Sequence, residues 1–267
     1  MTATHAPSAA DTDVLFDLSD GIATLTLNRA ARYNTLSSDV IAMLSMRLTE
    51  IAASDAVRVV IIAATGKAFS TGHDLKEMNA HRNEAYYRRL LADCSRMMQA
   101  IVALPQPVIA QVQGIATAAG CQLVASCDLA VAASSARFAT NGIQNGLYCA
   151  TPSVALSRVV QRKHALEMLL TGDFIDAARA EEIGLVNRVV DDADLEQATR
   201  ALAGRIAEKS QYAVRLGKAS FYRQVEQGLD SAYRGTSEEL VCNLLASDGV
   251  EGLNAFIDKR APRWQDR

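Results

Sequence analysis

Apolar residues recur along this chain with two different periods, and the switches between them mark its elements. Residues 14–16 and 22–27 read as strands, and the Ser19-Asp20-Gly21 turn between them predicts a β-hairpin. Ser37 or Ser38 then opens a stretch in which Val40, Ile41, Leu44, Leu48 and Ile51 share one helical face. Residues 57–64 are almost continuously apolar and predict a buried strand. A long helix is predicted over 83–103 from the stripe Tyr87, Leu90, Cys94, Met98 and Ile101, stopped by Pro105 and Pro107, with a strand at 108–112 behind it. Residues 116–127 predict a helix of almost wholly small residues, which can approach its neighbours closely and belongs at the centre; a strand at 129–132 follows. Beyond Gly172 come a short helix at 176–183, a strand at 185–190 and four helical segments reaching Phe256. A strand-strand-helix unit recurs loosely, without a strict repeat. The expected organisation is a disordered lead-in over 1–13, an α/β core over 14–200 and a helical region over 201–267.

Composition narrows what such a chain does. With 49% apolar and 21% charged residues it can bury a sizeable core. Its 27 basic and 30 acidic residues leave a net charge of −3, so nucleic acid is not an expected partner. No apolar run approaches the ~20 residues of a membrane span, so no membrane partner is expected. Five cysteines (94, 121, 127, 149 and 242) are scattered without the spacing of a zinc site or a disulfide framework, which predicts a reducing compartment. Residues 1–13 hold no lysine, arginine or apolar segment, which argues against a secretory or transit peptide and makes a cytoplasmic protein the expectation.

Three local features carry candidate chemistry. In Ala68-Phe69-Ser70-Thr71-Gly72-His73-Asp74-Leu75-Lys76 a strand runs through a glycine into a helix, leaving backbone N–H groups for an anion or a polarised oxygen. The same pattern also fits an ordinary connection capped by Asp74. A second helix start, Gly114 to Gln122, offers N–H groups among tiny side chains; close helix packing explains it equally simply, and its glycines do not form a dinucleotide fingerprint. The basic, aromatic-flanked end from Phe256 to Trp264 suits either a phosphate contact or a solvated helix terminus. Four dispersed histidines suggest no metal site, and Cys149 reads as an inert thiol sooner than a nucleophile.

Leu27-Asn28-Arg29 with Asn34 and Leu36, then Phe69 to Leu75, Gln113-Gly114 leading to Gly120-Cys121-Gln122-Leu123 and Cys127-Asp128, Leu170-Thr171-Gly172, and Phe256 to Trp264 occur in an order that resembles the crotonase (enoyl-CoA hydratase/isomerase) superfamily. The resemblance spans residues 14–264. Residues 116–128, Phe138-Ala139-Thr140 and Pro152 are most like its enoyl-CoA hydratase domain-containing protein 3 group, whose animal members are mitochondrial.

What the resemblance implies is an α/β crotonase (ClpP-like) spiral of ββα units with a C-terminal helical trimerisation region, assembled as a homotrimer or homohexamer. It implies acyl-CoA thioesters as ligands and no cofactor beyond the coenzyme A of the substrate. The backbone amides of His73 and Ala119 would polarise the thioester carbonyl and stabilise an enolate. Arg32, Tyr33, Ser70, Asp74, Leu75 and Ile115 would contact the ligand, joined by Phe256 and Lys259 from a neighbouring subunit. Gln122 and Gly142 stand where hydratases of the family carry two glutamates. A glutamine amide cannot take a proton from water near neutral pH, and glycine has no side chain. Each general acid or base is worth ~10²–10⁴ in rate, so enolate stabilisation is expected to survive without the hydratase proton machinery.

No carboxylate lies between Phe138 and Arg158, where Gln144, Asn145, Tyr148, Cys149 and Thr151 remain as polar candidates. Glu77 and His81, just past the first loop, are candidate replacement bases. Two functions therefore stand open: an acyl-CoA enzyme working through an enolate, with base-free decarboxylation as one variant, or a non-catalytic acyl-CoA binding protein.

Overall fold

A computed structural model describes residues 12–267. The expected disordered lead-in lies outside them except for its last two residues, and Asp13 is held: its carbonyl accepts from Asn28 N–H at 2.8 Å and its carboxylate pairs with Arg29 at 3.2 Å. The hairpin forms as β1 (Val14–Ser19) and β2 (Ile22–Leu27), and α1 (Ser38–Ala52) follows, capped by the Ser37 hydroxyl, which accepts from Val40 N–H. The chain then winds through strand pairs: β3 (Val59–Ala64) and β4 (Ala68–Ser70) with α2 (Leu75–Ala80) and α3 (Glu84–Ala103), then β5 (Val108–Val112) and β6 (Ile115–Thr117) with α4 (Ala119–Ser126). A third pair, β7 (Leu129–Ala133) and β8 (Arg137–Ala139), leads into α5 (Ala150–Val159) and α6 (Arg162–Thr171). Each pair sends its first strand to a six-stranded sheet of order β1-β2-β3-β5-β7-β10, parallel beyond the opening hairpin, and its second to a four-stranded sheet, β4-β6-β8-β9. This is the recurring ββα unit, and repeated winding makes the spiral. The closing elements are β9 (Ile175–Asp176), α7 (Ala177–Glu182), β10 (Arg188–Val190) and α8 (Leu195–Ala207), then α9 (Gln211–Gln224), α10 (Leu229–Leu245) and α11 (Ser247–Ile257).

The continuous apolar run of β3 has a physical reason: the strand is buried on both faces. Val60 and Ile62 enter the main core with α1 and α3, whereas Val59, Ile61 and Ala63 enter a second core closed by Leu195, Leu202 and Ala203 of α8. The expected boundary at 200/201 therefore cuts a helix that belongs to the core, and the helical appendage begins with α9. The small-residue helix also starts later than expected. Residues 115–117 form β6, and α4, every residue of which is buried, starts at Ala119. The strand expected over 185–190 is only Arg188–Val190, because Leu185 N–H donates back to Ala180 O and closes α7. The appendage exposes large apolar side chains, among them Leu229, Leu245, Phe256 and Ile257. No helix among the described residues is long and apolar enough to cross a membrane.

Candidate functional site

Where the short sheet meets α4, two loops are pressed together. Gly72 has φ +82°, and a Cβ there would lie 2.9 Å from Ala119 N and 3.0 Å from the Ala118 Cβ. Glycine is required both for the left-handed backbone and for the close approach. A Cβ on Gly120 would likewise fall 2.1 Å from Ser70 O, so β4 and α4 touch main chain to main chain. Ala118, immediately before α4, has φ +50° and ψ −120°, fixed by its N–H donating to Ala139 O at 3.0 Å. The consequence is a pair of N–H groups, those of His73 and Ala119, that donate to no acceptor among the described residues. Both residues line one cavity of about 840 Å³.

The cavity mouth is built by the loop after β2. Ala30–Arg32 form a 3-10 turn, and Tyr33 and Asn34 follow with φ +52° each. Asn34 is buried and satisfied: its Oδ1 accepts from Arg29 N–H at 2.7 Å, and its Nδ2 donates to Thr65 O and Ala68 O at 2.8 and 2.7 Å. Asparagine tolerates this left-handed region better than most residues do. Tyr33 O accepts from Thr71 N–H and Leu36 N–H donates to Gly72 O, so the mouth loop is laced to the loop carrying His73. Asn34 served the sequence reading only as a family mark; a buried asparagine tying three backbone groups leaves no local periodic signal.

Of the sequence-predicted residues, Arg32, Tyr33, His73, Asp74, Leu75, Ile115, Ala119, Gly142, Tyr148 and Cys149 all line the cavity. Ser70 lies behind the wall, fully buried, its hydroxyl accepting from Gly72 N–H at 3.3 Å. Gln122, in the first turns of α4, is also buried behind the wall, and its Oε1 has no hydrogen-bond partner. Phe256, in the last turn of α11, and Lys259, just beyond it, do not line this cavity within one chain. Glu77 points elsewhere. Its carboxylate accepts from the hydroxyl of Ser38, at the start of α1, at 2.6 Å and from that of Tyr86, in α3, at 2.9 Å. His81 is exposed at the end of α2, with its ring 5.0 Å from that of Tyr86.

Asp74 is the one carboxylate among the lining residues. It caps α2 by accepting from Lys76 and Glu77 N–H, and lies 3.6 Å from Arg32 and 4.0 Å from Arg29. Burial pushes its carboxyl up, but the two backbone bonds, the Thr35 hydroxyl and Arg29 outweigh it and hold Asp74 below the usual carboxylate range. Glu77 is held low in the same way, burial opposed by Ser38 and Tyr86. Burial pushes the Cys149 thiol up, against a bond from the Gly142 backbone. Gly142 itself is closed off: a Cβ there would meet Leu147 O at 2.6 Å and Cys149 Sγ at 2.9 Å. The loop bearing it is fixed by Thr140 Oγ1 donating to Met168 O and Gln144 Nε2 to Gly172 O, so Gln144 serves as a brace. Among the described residues no group of three or more His, Cys, Asp or Glu could hold a metal.

Comparison with known proteins gives the family and the fold. Residues 17–267 match the family described as enoyl-CoA hydratase/isomerase. The chain is 48% identical to "Enoyl-CoA hydratase domain-containing protein 3, mitochondrial" of Xenopus laevis, over 91% of this chain and 83% of that protein. A crystal structure of an enoyl-CoA hydratase from Mycobacterium smegmatis superposes with a TM-score of 0.94 at 50% identity, covering 95% of this chain and 99% of that one. The human enoyl-CoA hydratase domain-containing protein 3 structure gives 0.93 at 46%, covering 95% and 100%. The expected cytoplasmic location is corrected here, because the Xenopus, rat and human relatives are all named mitochondrial. Scattered reduced cysteines fit any reducing compartment, and the composition of thirteen residues does not separate one from another.

Proposed function

The chain belongs to the enoyl-CoA hydratase/isomerase family, and we propose that its cavity binds acyl-CoA thioesters, with the His73 and Ala119 N–H groups donating to the thioester oxygen. The observation that carries this reading is the pair of amides without acceptors on one cavity wall. An oxygen that gains charge as an enolate forms draws most from such fixed donors; losing one donor from a comparable site costs about 2.7–4 kcal/mol. Arg32, near the mouth and 65% exposed, supplies positive charge for the coenzyme A phosphates. Exposed apolar residues on α9 to α11 support self-assembly into a homotrimer or homohexamer, in which Phe256 and Lys259 would reach a neighbour's mouth.

Water addition is not the expected reaction, because Gln122 and Gly142 carry no carboxylate and Asp74 is engaged by arginines. That same observation favours a second reading, a non-catalytic acyl-CoA binding protein. Proton NMR in D₂O with enoyl-CoA, saturated acyl-CoA and malonyl-type thioesters separates them by following water addition, C2 exchange and CO₂ loss together. Conversion above a buffer control establishes an enzyme and its reaction class. Ligand broadening without conversion establishes the binding protein, and no broadening with any thioester overturns both.

A further inference from the structure

One strand of the short sheet turns a polar side chain toward the cavity. In β6, Ala116 packs into the main core, whereas Ile115 and Thr117, on the opposite face, line the cavity. Thr117 is only 3% exposed, yet its hydroxyl makes no hydrogen bond to any described residue. Nor is its oxygen among the buried polar atoms sealed from solvent without a partner. The hydroxyl oxygen therefore keeps accessible surface, and on a residue buried everywhere else that surface belongs to the cavity. Buried polar groups are almost always paired within the fold, so one left facing a cavity is available to a ligand.

Across the sheet Thr117 pairs with Ala139 of β8. Asn141, two residues farther on, is half-buried and also lines the cavity, and its side-chain amide is likewise without a partner among the described residues. The charges of the cavity stand elsewhere: Arg32 in the mouth loop, and Asp74 and Lys76 at the start of α2. The lining residues within 115–119 and 141–152 include no Asp, Glu, Lys, Arg or His. A hydroxyl and an amide can each donate and accept, so together they suit an uncharged oxygen. A carboxylate placed there would lose water without gaining a cation, and a plain hydrocarbon chain would cover both groups without pairing them. Thr117 stands two residues before Ala119, so their Cα atoms are at most about 7 Å apart. A ligand group that meets the hydroxyl thus lies within a few bonds of the thioester carbonyl.

We infer that Thr117 and Asn141 form a polar subsite for the acyl chain, one that selects acyl-CoA thioesters bearing an uncharged oxygen, a hydroxyl or a ketone, on a carbon close to the thioester. The inference rests on the acyl-CoA reading above and goes beyond it in naming the acyl group. The Thr117 hydroxyl donates to that oxygen or accepts from its O–H, and the Asn141 amide supplies the complementary bond. Neither side chain holds the thioester oxygen, which stays with the His73 and Ala119 N–H groups. The subsite therefore governs which thioester binds and not how its carbonyl is polarised.

The test measures by calorimetry the affinities for 3-hydroxybutyryl-CoA, acetoacetyl-CoA, butyryl-CoA, malonyl-CoA and coenzyme A. Wild type, Thr117→Val, Thr117→Ser and Asn141→Ala are compared, with circular dichroism to confirm folding. Valine keeps the shape of threonine and removes its hydroxyl; Asn141→Ala acts at a half-buried position and carries the test should Thr117→Val not fold. The expected result is that wild type binds both oxygenated thioesters about tenfold tighter than butyryl-CoA, the worth of one hydrogen bond. The preference persists in Thr117→Ser and falls toward equality in Thr117→Val and Asn141→Ala, with butyryl-CoA affinity unchanged. Equal affinity of wild type for butyryl-CoA and the oxygenated thioesters overturns the inference, as does survival of the full preference in folded Thr117→Val or in Asn141→Ala. Tighter binding of malonyl-CoA than of either oxygenated thioester overturns the uncharged class. Equal weakening of every ligand by Thr117→Val, coenzyme A included, moves Thr117 to the coenzyme arm and overturns the acyl subsite. Failure of wild type to bind any thioester overturns the acyl-CoA reading itself, and this inference with it.

Discussion

Ala118 spends conformational energy to aim the amide that follows it. A non-glycine residue at φ +50° and ψ −120° costs about 1–3 kcal/mol, whereas the extra freedom of glycine in the unfolded chain costs about 0.5–1 kcal/mol. Strain relief is the larger effect, so Ala118→Gly is expected to stabilise the protein by about 1 kcal/mol, read as a raised urea midpoint; a lowered midpoint would show that the alanine is unstrained. Gly142 presents the opposite case. A glutamate placed there must push aside Leu147 O, 2.6 Å from its Cβ. Gly142→Glu is therefore expected to cost about 1–3 kcal/mol in a thermal melt and to bring no enoyl-CoA hydration, followed by loss of enoyl absorbance. Hydration in that variant would mean that the loop rearranges freely.

At the scale of elements, α2 depends on a carboxylate. Asp74 and Glu77 both have folded pKa values below their ordinary ones. Their ionised forms thus stabilise the fold above the usual carboxylate pKa, and that contribution fades as pH falls through the lowered folded values. Asp74→Asn keeps a capping oxygen and removes the charge. It is expected to lower stability at pH 7 by about 1 kcal/mol and to flatten the loss between pH 7 and pH 3 in urea titrations, whereas an unchanged acid slope would remove Asp74 from the account. The long elements were legible because their burial is periodic: α1 and α3 each hide one stripe, and β3 hides both faces. The strands β4, β6 and β8 were not, since three residues cannot display a period. Their omission is also why α4 was expected to start too early. For the site, motif order located the cavity-lining loops, but side-chain directions escaped it: Glu77 turns toward α1, and Gln144 braces Gly172.

Over the whole molecule, the most buried of the ion pairs that tie the appendage to the spiral is that of Lys218 with Asp128. The Asp128 carboxylate receives Val108 N–H at 2.6 Å, Lys218 Nζ at 2.7 Å and the Tyr222 hydroxyl at 2.8 Å, and Lys218 also donates to Ile101 O and Gln106 O. Burial pushes Asp128 up and Lys218 down, while their mutual attraction opposes both shifts. Lys218→Met leaves the carboxylate buried without its cation and is expected to cost about 3–5 kcal/mol by chemical denaturation; a loss below about 1 kcal/mol would show that the pair is no more than a surface-type bridge. Sequence patterning showed a helical tail but not this pair, which joins residues ninety positions apart. The two N–H groups of the cavity have a different consequence for anyone mapping the molecule by substitution. A donor made of main chain leaves no side chain to delete: an alanine scan passes over Ala119 unchanged, and residue 73 keeps its N–H under every substitution but proline. In a map of tolerance the oxygen-binding groups would be drawn only in outline, by Gly72 and Gly120, where an added methyl would strike backbone.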